Sequence, residues 1–170
     1  MIVLEPLTPA KQPAVEALLD RAFEPGRHAR TAYKVRGAAA AIPSLSFVAI
    51  RDSVVVGSIQ CWPVTLIADD GESTPLVMVG PVAVAPELQR SGLGRRLMEA
   101  ALAAAETQGM NGAMTLIGDP EYYGRFFGFT ADKTGGWRLP GPVDRHRLLA
   151  RGAAVPATSG TLGPRITMDA

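Results

Sequence analysis

In the stretch LQRSGLGRRLMEA, residues 88–100, Gly92 and Gly94 stand one residue apart at the start of what scans as a helix. Inside a helix each costs about 1 kcal/mol relative to alanine, so their presence needs a reason. A helix N-terminus exposes unpaired N–H groups at the positive end of the macrodipole and is a ready anion site. Without Cβ atoms at 92 and 94, a phosphate or pyrophosphate can lie directly on the amides of Arg90, Ser91, Gly92, Leu93, Gly94 and Arg95. Arg90, Arg95 or Arg96 would add charge at the rim. The competing explanation is a tight strand-to-helix turn with close packing, and the sequence leaves both open.

The type of phosphate ligand can be narrowed. No Gly-Lys-Ser/Thr occurs anywhere in the chain, which disfavours a P-loop nucleotide hydrolase. A dinucleotide-binding fingerprint needs a third small residue where Leu97 stands, and a βαβ context that is missing here. The strand before the glycines, LVMVGPVAVAP, carries Gly80-Pro81 in its middle. A proline cannot donate to a central ladder, so the strand is expected to bulge or to part from a neighbour there. The backbone of Val82, Ala83 and Val84 would then be open to an amide-bearing ligand that pairs as an added strand does. A ligand with amides at one end and a pyrophosphate at the other is coenzyme A.

The elements that must position these residues follow from hydrophobic period and breakers. IVLEP reads as a short strand, and LTPAKQPAVEALLDRAF as a helix with Thr8 as N-cap and Pro9 first, burying Val15, Leu18, Leu19, Ala22 and Phe23. An Ala-rich segment, Arg30 to Ala41, reads as a weaker helix ended by Pro43. From Ser46 to Pro86, β-branched runs separated by RDS and DDGES predict a meander of three antiparallel strands. After Pro86 a helix is expected with Leu93, Leu97, Met98, Ala101, Leu102 and Ala105 on one side. AMTLIG reads as a buried strand, and DPEYYGRFFG as a short helix capped by Asp119 and Gly128, after which Phe129 starts another strand. DRHRLLARGAAV and PRITM are the expected last ordered pieces.

In that setting VAVAPELQRSGLGRRLMEAAL resembles the signature of GNAT-type N-acetyltransferases, Gln/Arg-x-x-Gly-x-Gly/Ala, with Gln89, Gly92 and Gly94 filling it. LIGDPEYYGRFFGF and LPGPVDRHRLLA are similar to the YhbS-like subgroup, so the resemblance runs over residues 1 to about 150. It implies an α/β (α+β) fold: a GNAT-like mixed, mostly antiparallel sheet flanked by helices, with a splayed central strand pair. The expected organisation is one acetyltransferase domain over 1–150, with 151–170 as its Gly/Pro-rich C-terminal extension. The implied cosubstrate is acetyl-CoA, with no metal, and the implied reaction is direct transfer of acetyl to a primary amine of a small molecule or protein. A non-catalytic acyl-CoA-binding module for sensing or assembly is the alternative.

Acetyl transfer needs a neutral amine, a polarised thioester carbonyl and a proton for the thiolate. The resemblance assigns carbonyl polarisation to the backbone N–H of Val84, whose other reading is an ordinary sheet hydrogen bond. It assigns the proton to Tyr123 or Tyr122, with Tyr123 favoured. The two tyrosines can instead pack with Phe126 and Phe127 at i+4 spacing. The YYGRFFGF segment has one residue more than the usual spacing from tyrosine to Gly-Phe, which leaves the choice of tyrosine open. The strand LVMVGPVAV lacks the glutamate that many relatives carry, so Glu121, His28 or a water chain is left as base. His28 and His146 also read as surface or structural residues. Residues from Glu24 to Ser46, among them Arg27, His28, Arg30, Tyr33 and Lys34, fall where the family builds its acceptor wall, and read equally as a solvated face.

Bulk composition sets the outer limits. Seventeen Lys and Arg against sixteen Asp and Glu give a net charge of +1, and Arg95-Arg96 is the only adjacent basic pair, which argues against nucleic acid as a partner. The opening MIVLEPLTPA lacks a basic n-region, and PLVMVGPVAVAP is too short to cross a bilayer, so a cytoplasmic protein with no membrane partner is expected. Cys61, the single cysteine, excludes an internal disulfide and reads as a buried small hydrophobe. The assembly is open between monomer and homodimer.

Overall fold

The computed structural model of the chain describes residues 1–23 and 25–165. In order they form β1 (Val3–Pro6), α1 (Gln12–Ala22), α2 (Thr31–Arg36), β2 (Phe47–Arg51), β3 (Val54–Ala68), β4 (Ser73–Val84) and α3 (Leu93–Thr107). There follow β5 (Met114–Ile117), α4 (Pro120–Phe127), β6 (Trp137–Arg138), β7 (Leu148–Arg151) and β8 (Gly160–Pro164). The strands belong to one mixed, mostly antiparallel sheet of eight, flanked by helices. The chain clusters into two compact units. One comprises Met1–His28, Ala41–Cys61 and Val79–Gly109, and the other Ala29–Ala40, Trp62–Met78 and the described residues from Met110 onward.

In the first unit β1, β2 and the N-terminal half of β3 pair antiparallel, from Val3 opposite Ile50 to Phe47 opposite Ile59. The helical period expected of α3 holds, since Leu93, Leu97, Met98, Ala101 and Ala105 are buried, with only Leu102 partly open. Gly57 of β3 lets α3 lie close, because a Cβ there would come within 3.1 Å of both Leu93 Cδ2 and Leu97 Cδ1. At Thr8 the expectation needs correction. Thr8 precedes a 3-10 turn, Pro9–Lys11, and makes no side-chain cap, and α1 proper begins at Gln12. Two prolines, Pro9 and Pro13, each remove an amide donor, so the regular ladder starts a turn later.

In the second unit β5 pairs antiparallel with β7 and parallel with β4, and β8 joins the C-terminal half of β3 to β6. The expected helix over Arg30 to Ala41 is only α2, closed at Gly37, whose φ of +56° suits glycine, and not at Pro43. No strand starts at Phe129. That residue is buried, and Thr130 forms a single bridge to Ala150. Of the last expected piece, PRITM, Pro164 ends β8, and Ile166, Thr167 and Met168 lie outside the described residues.

Among the described residues β4 and β5 pair at two positions only, Val77 with Met114 and Met78 with Thr115. The pairing stops just before Gly80–Pro81, a cis peptide with Gly80 at φ +117°.

Candidate active site

Gly92 is not inside the helix. It is the N-cap of α3 at φ +86°, ψ 1°, a left-handed conformation that glycine adopts at little cost. Neither glycine is explained by crowding within the protein. Nothing lies within 4 Å of a Cβ built at Gly92, and one at Gly94 would meet Val82 Cγ1 and Val84 Cγ2 at an ordinary 3.8 Å. The turn accounts for Gly92. For Gly94 the remaining effect of the missing Cβ is open access to backbone.

That backbone is donor-rich. The first helical bond runs from the Arg96 N–H to the Gly92 carbonyl, so the amides of Gly92, Leu93 and Gly94 precede it and have no acceptor among the described residues. The Gln89 and Ser91 amides are instead consumed within the turn, donating to Pro86 and Leu88 carbonyls at 3.4 and 3.2 Å. Among the arginines, Arg95 pairs with Glu99 at 3.1 Å, and an Arg96 Nη reaches the Ile2 carbonyl at 3.4 Å. Arg90 is exposed, at φ +67°, and its side chain has no hydrogen-bond or ion-pair partner among the described residues. Three convergent amides, the helix dipole, an available guanidinium and room without Cβ atoms fit a pyrophosphate.

β4 supplies a second group of donors. The Ala85 N–H donates to the Val56 carbonyl of β3 at 2.8 Å. Amides alternate sides along a strand, so the Val84 amide points away from β3, towards the side on which no strand pairs with β4 beyond Met78 among the described residues. Side chains alternate too. Ala83 is buried, whereas Val82 and Val84 are half-buried and face Gly94.

α4 forms as its sequence predicts: the Asp119 carboxylate accepts from the Glu121 N–H, Pro120 opens the first turn, and Gly128 closes the helix at φ +73°. It carries both tyrosines half-buried. Their rings meet edge-on at 5.0 Å, and Tyr122 also contacts Phe126 at 5.3 Å and Phe127 at 5.8 Å. Tyr123 reaches only Phe127 besides, at 6.2 Å, and its hydroxyl has no hydrogen-bond partner among the described residues. Burial raises the Tyr123 phenol above its usual pKa of 10.0, with Tyr122 adding to the rise, Arg147 opposing it and Asp119 adding a little more. The phenol is neutral at any physiological pH.

Other candidates fall elsewhere. Arg27 is buried, at 3% exposure, and clasped by Glu16 at 2.8 Å and Asp20 at 3.0 Å on one face of α1, so it braces that helix and does not face an acceptor. His28, Arg30 and Lys34 are exposed, Tyr33 is half-buried, and Glu121 is exposed in the first turn of α4. The backbone N–H of His146 donates to the Asp144 carboxylate in a surface turn. Cys61 is buried, and that burial pushes its thiol up to about 12. No cluster of three or more metal-ligating side chains occurs among the described residues, and no helix there is long and apolar enough to cross a membrane.

Gly118 was not among the candidates the sequence offered. A Cβ there would lie 2.5 Å from Tyr123 Cε2 and 2.8 Å from Cδ2, so this glycine makes room for the tyrosine ring. The available signal was a glycine between an apolar run and an Asp-Pro cap.

Comparison with known proteins bears on the family and the fold. Residues 13–129 match the Acetyltransferase (GNAT) family. Over 119 residues, 69% of this chain and 68% of the relative, the sequence is 32% identical to the uncharacterized N-acetyltransferase YhbS of Escherichia coli K12. The crystal structure of E. coli YhbS in complex with CoA superposes with a TM-score of 0.76 at 25% identity, covering 96% of this chain and 89% of that one. A Brucella melitensis GNAT acetyltransferase in complex with acetyl-CoA shares the fold, with a TM-score of 0.67 at 22% identity over 97% and 96% of the two chains. The chain belongs to the GNAT acetyltransferase family.

Proposed function

We propose that the protein transfers acetyl from acetyl-CoA to a primary amine by direct attack, acting in the cytoplasm, where acetyl-CoA is available. The observation that carries this reading is the turn at Gly92–Gly94, with three amides that have no acceptor among the described residues and no side chain in the way. The likeness to a relative crystallised with CoA supports it.

In this reading the amides of Gly92, Leu93 and Gly94 bind the pyrophosphate, Arg90 adds a charge-assisted contact, and Val82 to Val84 pair with the pantetheine amides. The Val84 N–H donates to the thioester carbonyl and stabilises the oxyanion that forms as the amine adds. The new C–N bond forms, the C–S bond breaks, the nitrogen gives a proton to water, and the thiolate takes one from the Tyr123 hydroxyl. Phenol at a usual pKa near 10 giving its proton to a thiolate of about 8.5 is uphill by about 2 kcal/mol, and burial steepens it. The Tyr123 hydroxyl therefore hydrogen-bonds to the sulfur as charge develops, passes its proton on as the C–S bond breaks, and regains one from solvent. β4 has no carboxylate in VMVGPVAV, so the amine's proton leaves through water.

The test is acceptor-dependent release of CoA thiol across a panel of amines, alongside thermal denaturation with CoA. Release that rises with amine concentration supports the enzyme. CoA-induced stabilisation with only slow hydrolysis supports a binding module, and no stabilisation at millimolar CoA rejects the site.

A further inference from the structure

An open cavity of about 430 Å³ lies between α1 and the tip of the β2–β3 hairpin, all of it within the first compact unit. Ala14, Ala17 and Arg21 form its helical wall at spacings of three and four residues, and Ile50, Val54 and Val55 form its sheet wall. Alanine at 14 and 17 leaves the gap between helix and hairpin unfilled, and both residues are exposed. The hairpin turns through Asp52 and Ser53 at φ +51° and +65°, the two-residue turn that continues the strand twist. It holds Val54 at the cavity rim, 55% exposed. The volume falls within the usual range of small-molecule sites.

Two cations line the cavity, about 15 Å apart along the helix axis. Lys11 pairs with Glu5 at 2.6 Å, and Glu5 has no second cation among the described residues. Arg21, in the last turn of α1, reaches Glu87 of the 3-10 turn Pro86–Leu88 at 2.9 Å. Glu87 has further support. Its carboxylate accepts from its own N–H and is attracted by Arg51, whose guanidinium has no hydrogen bond or ion pair among the described residues. Two guanidinium groups thus share one carboxylate, so a second carboxylate can take Arg21 without leaving Glu87 bare. Glu87 also stands just before the glycine turn, in a run held by single backbone bonds from Leu88 to Ala85, Gln89 to Pro86 and Ser91 to Leu88. The Arg21–Glu87 pair ties that run to α1.

We propose that this cavity binds a medium-chain monocarboxylate, with its alkyl chain along Ala14, Ala17 and Val54 and its carboxylate on Arg21 in place of Glu87. Apart from Ser53 and the two cations the lining is apolar, which favours an alkyl chain, and the planar fork of Arg21 matches a carboxylate. A second carboxylate at the far end would have to strip Lys11 from Glu5, which disfavours a diacid. Occupancy withdraws Arg21 from the turn that precedes the proposed CoA amides, so the carboxylate and CoA weaken each other's binding reciprocally. The site stands apart from acetyl transfer. Only its effect on CoA rests on the glycine-turn assignment.

Isothermal titration with octanoate, octanol, hexanoate and acetate tests this. Octanoate should bind saturably, about 3- to 10-fold tighter than hexanoate for its two added methylenes and about 3- to 5-fold tighter than octanol for its charge, with acetate silent. Ala17→Leu fills the cavity from an exposed position and should abolish binding. Val54→Asp, on the exposed hairpin, should weaken it likewise and serves if the helix variant folds poorly. Arg21→Gln should bring octanoate down to the level of octanol. Saturating octanoate should raise the Kd for CoA about two- to fivefold, the weight of an exposed ion pair, and the rise should vanish in Arg21→Gln. Octanol binding as tightly as octanoate, octanoate binding undiminished in folded cavity variants, or an unchanged CoA Kd under saturating octanoate overturns the inference. So does sedimentation that shows a dimer from which octanoate is excluded, because a second copy then covers the groove. If CoA does not bind at all, the glycine-turn assignment fails, and the chain-length and variant titrations still decide the cavity.

Discussion

The ring of Tyr123 occupies the space that a side chain at Gly118 would need, with Cε2 2.5 Å from where its Cβ would stand. The residue that follows β5 thus fixes where the phenol lies. Gly118→Ala should push the ring aside at an overpacking cost of about 1–3 kcal/mol, because Gly118 is buried and the obstructing atoms belong to a rigid ring. Turnover should fall while CoA affinity, which depends on a different segment, stays the same. Denaturation and CoA titration of the purified variant check this, and unchanged turnover would detach Gly118 from Tyr123 function.

Tyr123→Phe tests the hydroxyl itself. That group has no hydrogen bond among the described residues, so its removal should leave the melting temperature nearly unchanged. If it assists the leaving thiolate, kcat should drop by roughly 10²–10⁴. Tyr122 packs on Phe126 and Phe127, so Tyr122→Phe retains those ring contacts and should keep most of the rate. A larger loss in the Tyr122 variant would exchange the two roles.

Gly92→Glu tests the anion site. No atom obstructs a Cβ there, so the variant should fold, at some cost from the left-handed backbone. The added carboxylate repels a pyrophosphate. Wild-type protein should gain about 2.7 kcal/mol at CoA one hundred times Kd, and the variant should gain nothing measurable. Arg90→Ala should weaken CoA binding more than Arg95→Ala, because Arg95 is engaged with Glu99. Thermal shift at increasing CoA gives both answers, and an undiminished shift in Gly92→Glu removes the assignment.

Much of this was legible because it is local. The Asp119–Pro120–Gly128 frame of α4 and the buried stripe of α3 are set by residues three to nine positions apart, within reach of capping and helical period. The glycine turn was legible as an anomaly, and its cause needed coordinates, since only measured space separates crowding from access. What sequence could not supply are pairings between distant segments. Arg27 reads as a free cation until Glu16 and Asp20 are found on the same face of α1. Tyr33 and Arg36 share a face at i,i+3, but nothing in the chain announces that the Trp62 ring centroid, twenty-six residues later, lies 3.8 Å from the Arg36 guanidinium carbon. The helix over Arg30 to Ala41 was overextended because alanine propensity gives no sign of Gly37, whose missing side chain lets Pro164 approach.

Cys61 makes the pH dependence of stability testable. Burial pushes its thiol from 9.0 to about 12, so the folded protein keeps it protonated while the unfolded chain ionises above 9.0. A group whose folded pKa is raised contributes its full stability below the unfolded value and loses it as pH climbs towards the folded one. At about 1.4 kcal/mol per pH unit, the loss from pH 9 to pH 10.5 is about 2 kcal/mol. Cys61→Ala removes the titration and leaves a small cavity, costing about 1 kcal/mol at neutral pH. The wild type should therefore be the more stable of the two at pH 7.5 and the less stable at pH 10.5, with the crossing between them. Urea denaturation of both proteins at the two values measures this difference with every other titrating group cancelled. Parallel stability curves across that range would mean that the thiol ionises as readily in the folded chain as in the unfolded one.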